Sequence, residues 1–412
     1  LYHMKQKTLR EDAHLREAEI CRRRPRSVRE CALAHSFDRK VGKKMERIHV
    51  KVPGEQLQDR EYMKQALALA EKGHGWVNPN PMVGAVLVKD GRIIGEGYHT
   101  RYGQLHAERE AFKNAAERGE ETAGADLYVT LEPCCHTGKQ PPCTEAVLAS
   151  GVKRVIVGCT DPNPVVAGRG IRLLREKGLE VVAGVLRGEC ERQNEVFFHF
   201  MRTKLPFTVL KYAMTLDGKT ATVLGKSQWI TGEAARKRVH EDRGRYMAIL
   251  TGVSTVLADN PQLTCRIPGG KNPIRVIADT KLRTPLSSTV VQTARETPTW
   301  IVTAVSDAGR KKAYEDAGCR VLSVPAKEGE LDLQAMMQRL GEEKVDSVMV
   351  ESGGTLAWSF LKAGLVNRVQ AYIAPKIFGG AGAPTPVRGT GVDAPPEAFL
   401  LKKPEAVWLG ED

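Results

Sequence analysis

The sequence predicts an α/β protein built as two successive layered units, and three observations carry that prediction. From Asp59 onward, short β-rich runs alternate with segments whose apolar residues recur at helical spacing, the pattern of strands covered by helices. The alternation is interrupted once, at "TKLP" (203–206), after which a second alternating series begins that does not repeat the first. The 412 residues are 42% hydrophobic, enough for two or three domains with cores of ordinary size.

In the first unit, "DREYMKQALALAEKG" begins at an Asp and ends at Gly73, so it reads as a capped helix. "MVGAVLVKDGRIIGEGYH" holds two alternating runs around Lys89-Asp90-Gly91, a hairpin signal. "HAEREAFKNAAERG" is an Ala-rich helix closing at Gly119, and "ADLYVTLEPC" is a strand. A short helix ("CTEAVLASG"), a strand and turn ("VKRVIVGCTDPNP"), a helix ("GIRLLREKG") and a strand ("LEVVAGV") follow, so much of this sheet is expected to be parallel. "RGECERQNEVFFHFMRTKLP" reads as one bridging helix that stops before Pro206. The second unit opens on the strand "FTVLKYAMTLDGKTA". It continues through "YMAILTGVSTVLADNP", "PIRVIADT", "TPTWIVTAV" and "VDSVMVESGGTLAWSFLKAGL" to "RVQAYIAPKIFGG". The expected organisation is a basic extension over 1–58, a first domain over 59–203 and a second over 204–412.

The formal net charge is +13. Residues 1–60 hold 16 Lys and Arg against 9 Asp and Glu, which places +7 of it there, most densely in "CRRRPRSVRE". A nucleic-acid arm is one reading of that run, and a disordered, solvated extension is the favoured one. The chain opens on Leu1, and a natural start nearer Met45 or Val52 is expected. There is no run of eighteen apolar residues and no apolar leader segment, so neither a membrane span nor a signal peptide is expected. Nine cysteines, three of them between residues 131 and 143, suit a reduced cytoplasmic protein with a metal or catalytic site better than a disulfide framework.

That cluster, "LEPCCHTGKQPPC" (131–143), is the most specific signal in the chain. "HAE" (106–108) opens one predicted helix, and the last cysteine of "PCCHTGKQPPC" opens another, so two helix N-termini face one space and favour thiolates and an oxyanion. His106, Cys134 and Cys143 are three soft ligands that would hold Zn²⁺ and leave a fourth position to water, whose pKa falls to about 7 on the metal. Glu108 is placed to take the proton from water and return it to a leaving amine. A histidine at a helix end is ordinary by itself; His-x-Glu followed by Pro-Cys is the signature of zinc nucleobase deaminases, in which the Glu is not a ligand. A purely structural zinc would leave Glu108 without a task. The spacing departs from the usual Cys-x-x-Cys, because eight residues separate Cys134 from Cys143.

"NPNPMVGAVLVKDG", "HAE", "VTLEPCCHTGKQPPC" and "DPNPVVAGRG" together resemble the deaminase half of the bifunctional pyrimidine deaminase/reductases of riboflavin biosynthesis, a family with this long cysteine spacing. Cys135 and Gln140 stand where that family more often has Ser and Thr, and neither is a zinc ligand. The resemblance implies a cytidine-deaminase-like three-layer domain. It also implies that the insert covers a substrate carrying ribose phosphate, with Asn80, His136 and Lys139 at substrate-contacting positions. Lys139 has a plain alternative as an exposed loop lysine, and His99 is either pocket-lining or a hairpin-end histidine.

The second unit lacks G-x-G-x-x-G, so a Rossmann dinucleotide domain is not supported. "VESGGTLAWSFLKAG" places two glycines at a helix start, where free N–H groups suit phosphate. With "LKYAMTLDGKTA", "SQWITG", "GVSTVLADNPQLTCR" and "IAPKIFGG" it resembles the reductase half of the same family, whose fold is like dihydrofolate reductase. The resemblance implies NADPH contacts at Ala213, Trp229, Thr255, Asp259, Thr280, Gly353, Gly354, Thr355, Leu356, Ala357, Trp358 and Ser359. It implies substrate contacts at Ser227, Arg243, Leu263, Arg266 and Glu351, the two arginines suiting a phosphate. Lys211 and Asp217 are polar residues near the expected centre. Asp217-Gly218 also reads as a turn and Trp229 as core. The chain ends at "EAVWLGED", one short strand before the family's usual end, so an open sheet edge is expected.

The resulting expectation is a two-headed enzyme that deaminates 2,5-diamino-6-ribosylamino-4(3H)-pyrimidinone 5′-phosphate with Zn²⁺ and then reduces the ribosyl group with NADPH. Its partner is a small phosphorylated pyrimidine, with no nucleic acid and no membrane, and a homo-oligomer is expected. The rival reading is a polynucleotide deaminase with the basic run as an RNA-binding arm.

Overall fold

The computed structural model describes residues 52–138, 140–163 and 167–412. The basic run of the first 51 residues and Lys139 lie outside the described residues. Helix α1 spans Asp59–Glu71. Asp59, read from sequence as its cap, does more than start it. The side chain is fully buried, accepting bonds from the Gln56 amide at 2.8 Å, the Tyr128 hydroxyl at 2.8 Å and Arg154 at 3.2 Å. Arg154 is buried as well and also reaches Asp126 at 3.0 Å, so the charges pulled from water are paired.

Strands β1 (Gly84–Lys89) and β2 (Arg92–Tyr98) form the expected hairpin, with Lys89 opposite Arg92. Asp90 and Gly91 turn the chain at φ 51° and 74°, the paired positive values that a two-residue hairpin requires. Helix α2 (Ala107–Glu117) then lies so close over β2 that a Cβ on Gly97 would stand 2.3 Å from the Ala111 amide nitrogen. Next come β3 (Asp126–Leu131), α3 (Cys143–Ala149), β4 (Arg154–Cys159), α4 (Arg169–Glu176) and β5 (Glu180–Ala183). The sheet order is β2-β1-β3-β4-β5, antiparallel through β3 and parallel beyond it. Helices cover both faces, which makes the three-layer unit.

The bridging segment is two helices, not one: α5 (Arg187–Gln193) and α6 (Glu195–Thr203) meet at Asn194. Asn194 is buried and holds Met82 by both of its backbone groups, accepting from its N–H and donating to its C=O at 2.8 Å each. The break places that amide opposite the loop before β1.

The second sheet has seven parallel strands in the order β10-β9-β8-β7-β13-β6-β14. They are β6 (Phe207–Thr215), β7 (Ala248–Gly252), β8 (Ile274–Ala278), β9 (Thr299–Thr303), β10 (Arg320–Ser323), β13 (Ser347–Val350) and β14 (Arg368–Ala374); β11 (Ala326–Lys327) and β12 (Glu330–Leu331) form a separate hairpin. Alternation divides the core. Leu250, Val276 and Val348 pack on one face, Ile249, Ile277 and Ile301 on the other. The sheet is covered by α7 (Glu233–Arg245), α8 (Val253–Asp259), α9 (Thr289–Gln292), α10 (Ala308–Asp316), α11 (Leu333–Glu342) and α12 (Gly354–Lys362). β14 pairs only with β6, and no strand follows it among the described residues, so its outer edge is open. No helix among the described residues is long and apolar enough to cross a membrane.

Candidate active sites

In the first unit the local chain geometry brings three ligands together. His106 caps α2 in extended backbone, Cys134 ends the run out of β3, and Cys143 is the first residue of α3. The His106 Nδ1 lies 3.6 Å from the Cys134 Sγ and 3.3 Å from the Cys143 Sγ. Zinc bonds of about 2.0–2.3 Å at the tetrahedral angle set such atoms about 3.5–3.8 Å apart, so the donors fit that ion in kind and in spacing. The Cys143 amide points at the Cys134 sulfur from 3.3 Å. A hydrogen bond from Cys143 and, against the cost of burial, one from His106 bring the Cys134 thiol down to about 4. Cys143 beside it is pushed up by that thiolate and by burial. Two sulfurs in this competition are both satisfied as thiolates only by a cation.

Glu108 sits in the first turn of α2, buried, and lines the same cavity of about 300 Å³ as His106 and Cys134. Burial pushes its carboxyl up, and the neighbouring Cys134 thiolate adds to the rise. Asn80 and His136 also line the cavity, His136 exposed at its mouth. Cys135 is not among the lining residues, and Gln140 ties the insert to the Gly103 carbonyl at 3.0 Å. His99 is both buried and cavity-lining. Burial lowers its pKa, and its Nδ1 lies 2.9 Å from the Leu105 carbonyl, so the neutral ring carries its proton there. Its Nε2 then accepts from the Asn80 amide nitrogen at 3.2 Å, which leaves the Asn80 carbonyl for an incoming N–H.

Sequence reasoning gave no role to Asp161 and Asn163, which line the cavity from "DPNP". Burial raises the Asp161 carboxyl to about 6. Their loop is held by Glu132, whose buried carboxylate accepts from the amides of Asp161, Gly168 and Ile171 at 2.9–3.2 Å. Pocket and loop meet only in the fold; the sequence signal was the acidic residue two positions after β4.

In the second unit, most of the predicted cofactor residues fall at the carboxyl ends of parallel strands, where ligands of open α/β sheets bind. Ala213 is on β6, Thr255 and Asp259 on α8 after β7, Thr280 after β8, and Gly353 to Ser359 run into α12 after β13. Gly353 caps α12 and leaves open space at its Cα. Within that run Ala357 faces the core, and Trp358 packs against Phe399 with ring centroids 5.7 Å apart. Thr280 donates to Glu330 at 3.2 Å. Trp229 is not core: it is mostly exposed, under the Arg236 guanidinium at 4.8 Å, and Lys376 donates to its carbonyl at 3.1 Å. Ser227 lies in the same exposed loop.

At the centre, Glu351 takes a bidentate pair from Arg243 at 2.8 and 3.0 Å and faces Lys211 at 3.5 Å. Burial alone would raise its carboxyl; Lys211 and Arg243 outweigh that and hold it at about 2. Arg243 also donates to the Thr264 carbonyl at 3.1 Å, so two of its five N–H groups remain for a ligand. Arg266 is exposed against His240 at 3.1 Å, and Leu263 is buried at φ 54°. Asp217 serves the turn: it accepts from Thr215 at 2.5 Å and from the amides of Phe378 and Gly379 at 3.1 and 2.8 Å.

Two family models match this chain: "Cytidine and deoxycytidylate deaminase zinc-binding region" over residues 56–159 and "RibD C-terminal domain" over residues 206–411. The chain is 49% identical over 354 residues to the riboflavin biosynthesis protein RibD of Actinobacillus pleuropneumoniae, covering 86% of this chain and 93% of the relative. It is 43% identical over 336 residues to that of Escherichia coli strain K12, covering 78% and 89%. Among solved structures, it resembles the diaminohydroxyphosphoribosylaminopyrimidine deaminase/5-amino-6-(5-phosphoribosylamino)uracil reductase of Thermotoga maritima. The TM-score is 0.73 at 41% identity, with 82% and 93% coverage. It also resembles RibD of Acinetobacter baumannii, with a TM-score of 0.76 at 35% identity and 86% and 96% coverage.

Proposed function

Since this chain belongs to the RibD family, the bifunctional deaminase–reductases of riboflavin biosynthesis, we propose a division of labour between its two sites. The enzyme joins a zinc-dependent deaminase to an NADPH-dependent reductase. The first site hydrolyses the 2-amino group of 2,5-diamino-6-ribosylamino-4(3H)-pyrimidinone 5′-phosphate. His106, Cys134 and Cys143 would hold Zn²⁺, which when bound would lower the pKa of a water at its fourth position to near neutrality. Glu108 is placed to receive a proton from that water and pass it to the departing ammonia, the second proton going to the ring nitrogen beside C2 as C2 becomes a carbonyl. Asn80 offers its carbonyl to the pyrimidine, and the insert residues His136 and Lys139 are assigned to the ribose phosphate. What carries this reading is the carboxylate of Glu108 opening on the same cavity as the ligand cluster, with room for a small pyrimidine.

The second site takes the deaminated product. NADPH supplies the hydride for ribose C1′. The chain's task is to hold nicotinamide against that carbon, with the α12 start, Ala213, Trp229, Thr255, Asp259 and Thr280 on the cofactor and Ser227, Arg243, Leu263, Arg266 and Glu351 on the substrate. The test is a two-stage assay on the diaminopyrimidine phosphate. Ammonia should appear without NADPH, and NADPH should be oxidised only after deamination. Absence of both signals sinks the reading, and retention of RNA at low salt with deamination of it would favour the polynucleotide alternative.

A homo-oligomer belongs to the same proposal. Its support is the open edge of β14, exposed Ile373 on that edge, and exposed Leu400 and Trp408 in the segment after it. Light scattering should return a mass of at least two chains, reduced to one by Ile373→Lys; a monomer at micromolar concentration in the unaltered protein contradicts it.

A further inference from the structure

The loop Asn78–Met82 forms one wall of the deaminase cavity, through Pro79, Asn80 and Pro81. It is pinned at both ends. At Met82 the pin is Asn194, which takes both backbone groups. At Asn78 the pin comes from the other half of the chain: the Asn78 side-chain amide donates to Asp346 Oδ2 at 2.7 Å. Asp346 is the residue immediately before β13, whose far end carries Glu351 of the reductase site. Between the pins, the Asn80 amide bonds back to the Val77 carbonyl at 2.8 Å, so the loop's path sets where the Asn80 side chain stands.

Asp346 is itself held with little freedom. It is 2% exposed; Oδ1 accepts from the Ser347 hydroxyl at 2.6 Å, and that hydroxyl accepts from the Met247 amide at 3.0 Å. The Asp346 carbonyl accepts from the Phe207 amide at 2.7 Å. The acceptor offered to Asn78 is therefore fixed to β6, β7 and β13, the centre of the reductase sheet. A second cavity of about 210 Å³ lies at the junction, lined by Asn78 and Asp346, and it shares Asn80 and Phe197 with the deaminase cavity. Movement at Asn78 thus has a direct path to Asn80.

We propose that Asp346, a residue of the reductase half, is a positioning residue for deamination: it anchors the Asn78–Met82 loop and through it Asn80 against the pyrimidine. The inference rests on the assignment of the first cavity as the deaminase site. It predicts that the reductase sheet lends order to the deaminase pocket while taking no part in its chemistry. Glu351 is five residues further along the strand, about 16 Å away at an extended rise, so loss of the anchor leaves the reductase centre in place.

The test uses the full chain with Asp346→Ala, Asp346→Asn, Asn78→Ala and the double variant Asn78→Ala/Asp346→Ala. Asp346→Ala should raise the deaminase KM about five- to tenfold, the worth of one buried hydrogen bond, with kcat, bound zinc and reductase kinetics unchanged. Asp346→Asn keeps an acceptor and should stay within about twofold of the unaltered enzyme. Asn78→Ala should match Asp346→Ala, and the double variant should be no worse than either. Hydrogen exchange, read without substrate, should quicken across residues 76–83 in Asp346→Ala. If Asp346→Ala does not fold, Asn78→Ala carries the same KM and exchange readouts. An unchanged deaminase KM with unchanged exchange overturns the proposal, as does a parallel fall of both activities with lowered Tm. If the unaltered enzyme releases no ammonia, the cavity assignment fails, while faster exchange in Asp346→Ala would still establish the anchor.

Discussion

Glu108→Gln is expected to keep its zinc and lose about a thousandfold or more in ammonia release. His106, Cys134 and Cys143 account for three tetrahedral positions, and a fourth left to water needs a base within reach. Glu108 lines the same cavity as His106 and Cys134, two residues along the helix that His106 caps, and burial keeps its carboxyl from being an ordinary solvated acid. Glutamine preserves the shape and its hydrogen-bonding reach but can neither accept the proton from water nor deliver it to the amine. General acid–base assistance contributes about 10²–10⁴, and a group used in both directions should fall at the upper part of that range. The measurement pairs metal analysis with ammonia release. Zinc at one per chain with activity within tenfold of the unaltered enzyme would remove Glu108 from the mechanism. Zinc lost together with activity would recast it as a support of the metal site. The reductase, fed with deaminated substrate, should be unaffected in the variant.

The deaminase centre was legible because its parts lie within 38 residues and each sits at an element boundary that the sequence marks: His106 before a helix, Cys134 after a strand, Cys143 at a helix start. Such boundaries depend on local chemistry. What the sequence hid depends on partners far along the chain. The bridging segment has one continuous helical pattern, yet it breaks at Asn194 because that side chain meets the Met82 backbone, 112 residues away. Asp59 has the right residue type for a cap, and its role as the buried partner of Arg154 is set by β4, 95 residues on. Nothing in the sequence singles out Asp346, whose bond to Asn78 spans 268 positions. In the second unit, resemblance names positions but carries no side-chain direction; that Ala357 lies in the core and Trp358 stacks on Phe399 depends on packing far along the chain.

Glu351→Gln should be the most damaging single change in the second half, and on two separate readouts. The carboxylate balances Arg243 and Lys211 in a largely buried site, so its removal leaves two cations facing a neutral amide whose NH₂ opposes one Arg243 donor. Breaking such a pair from one side costs about 3 kcal/mol. The pH dependence gives an independent check. With its pKa held at about 2 in the folded protein against the ordinary 4.5, Glu351 contributes stability that is fully present above pH 4.5 and is lost as pH falls through 2. The corresponding free energy is also about 3 kcal/mol. The gap in unfolding free energy between the unaltered enzyme and Glu351→Gln should therefore be full at pH 7 and shrink to about 1 kcal/mol by pH 3. A gap that does not narrow would mean that packing, and not charge, accounts for the loss. On the catalytic side, Arg243 swings free of its bidentate partner. A misplacement of about 1 Å at a substrate-holding group is worth about a hundredfold in kcat/KM, so NADPH oxidation should fall by that order. Ammonia release should persist, because Glu351 stands at the end of β13 away from the Asp346–Asn78 junction. Loss of both activities together would mean that charge balance at this site holds the whole two-domain unit, and not the reductase centre alone.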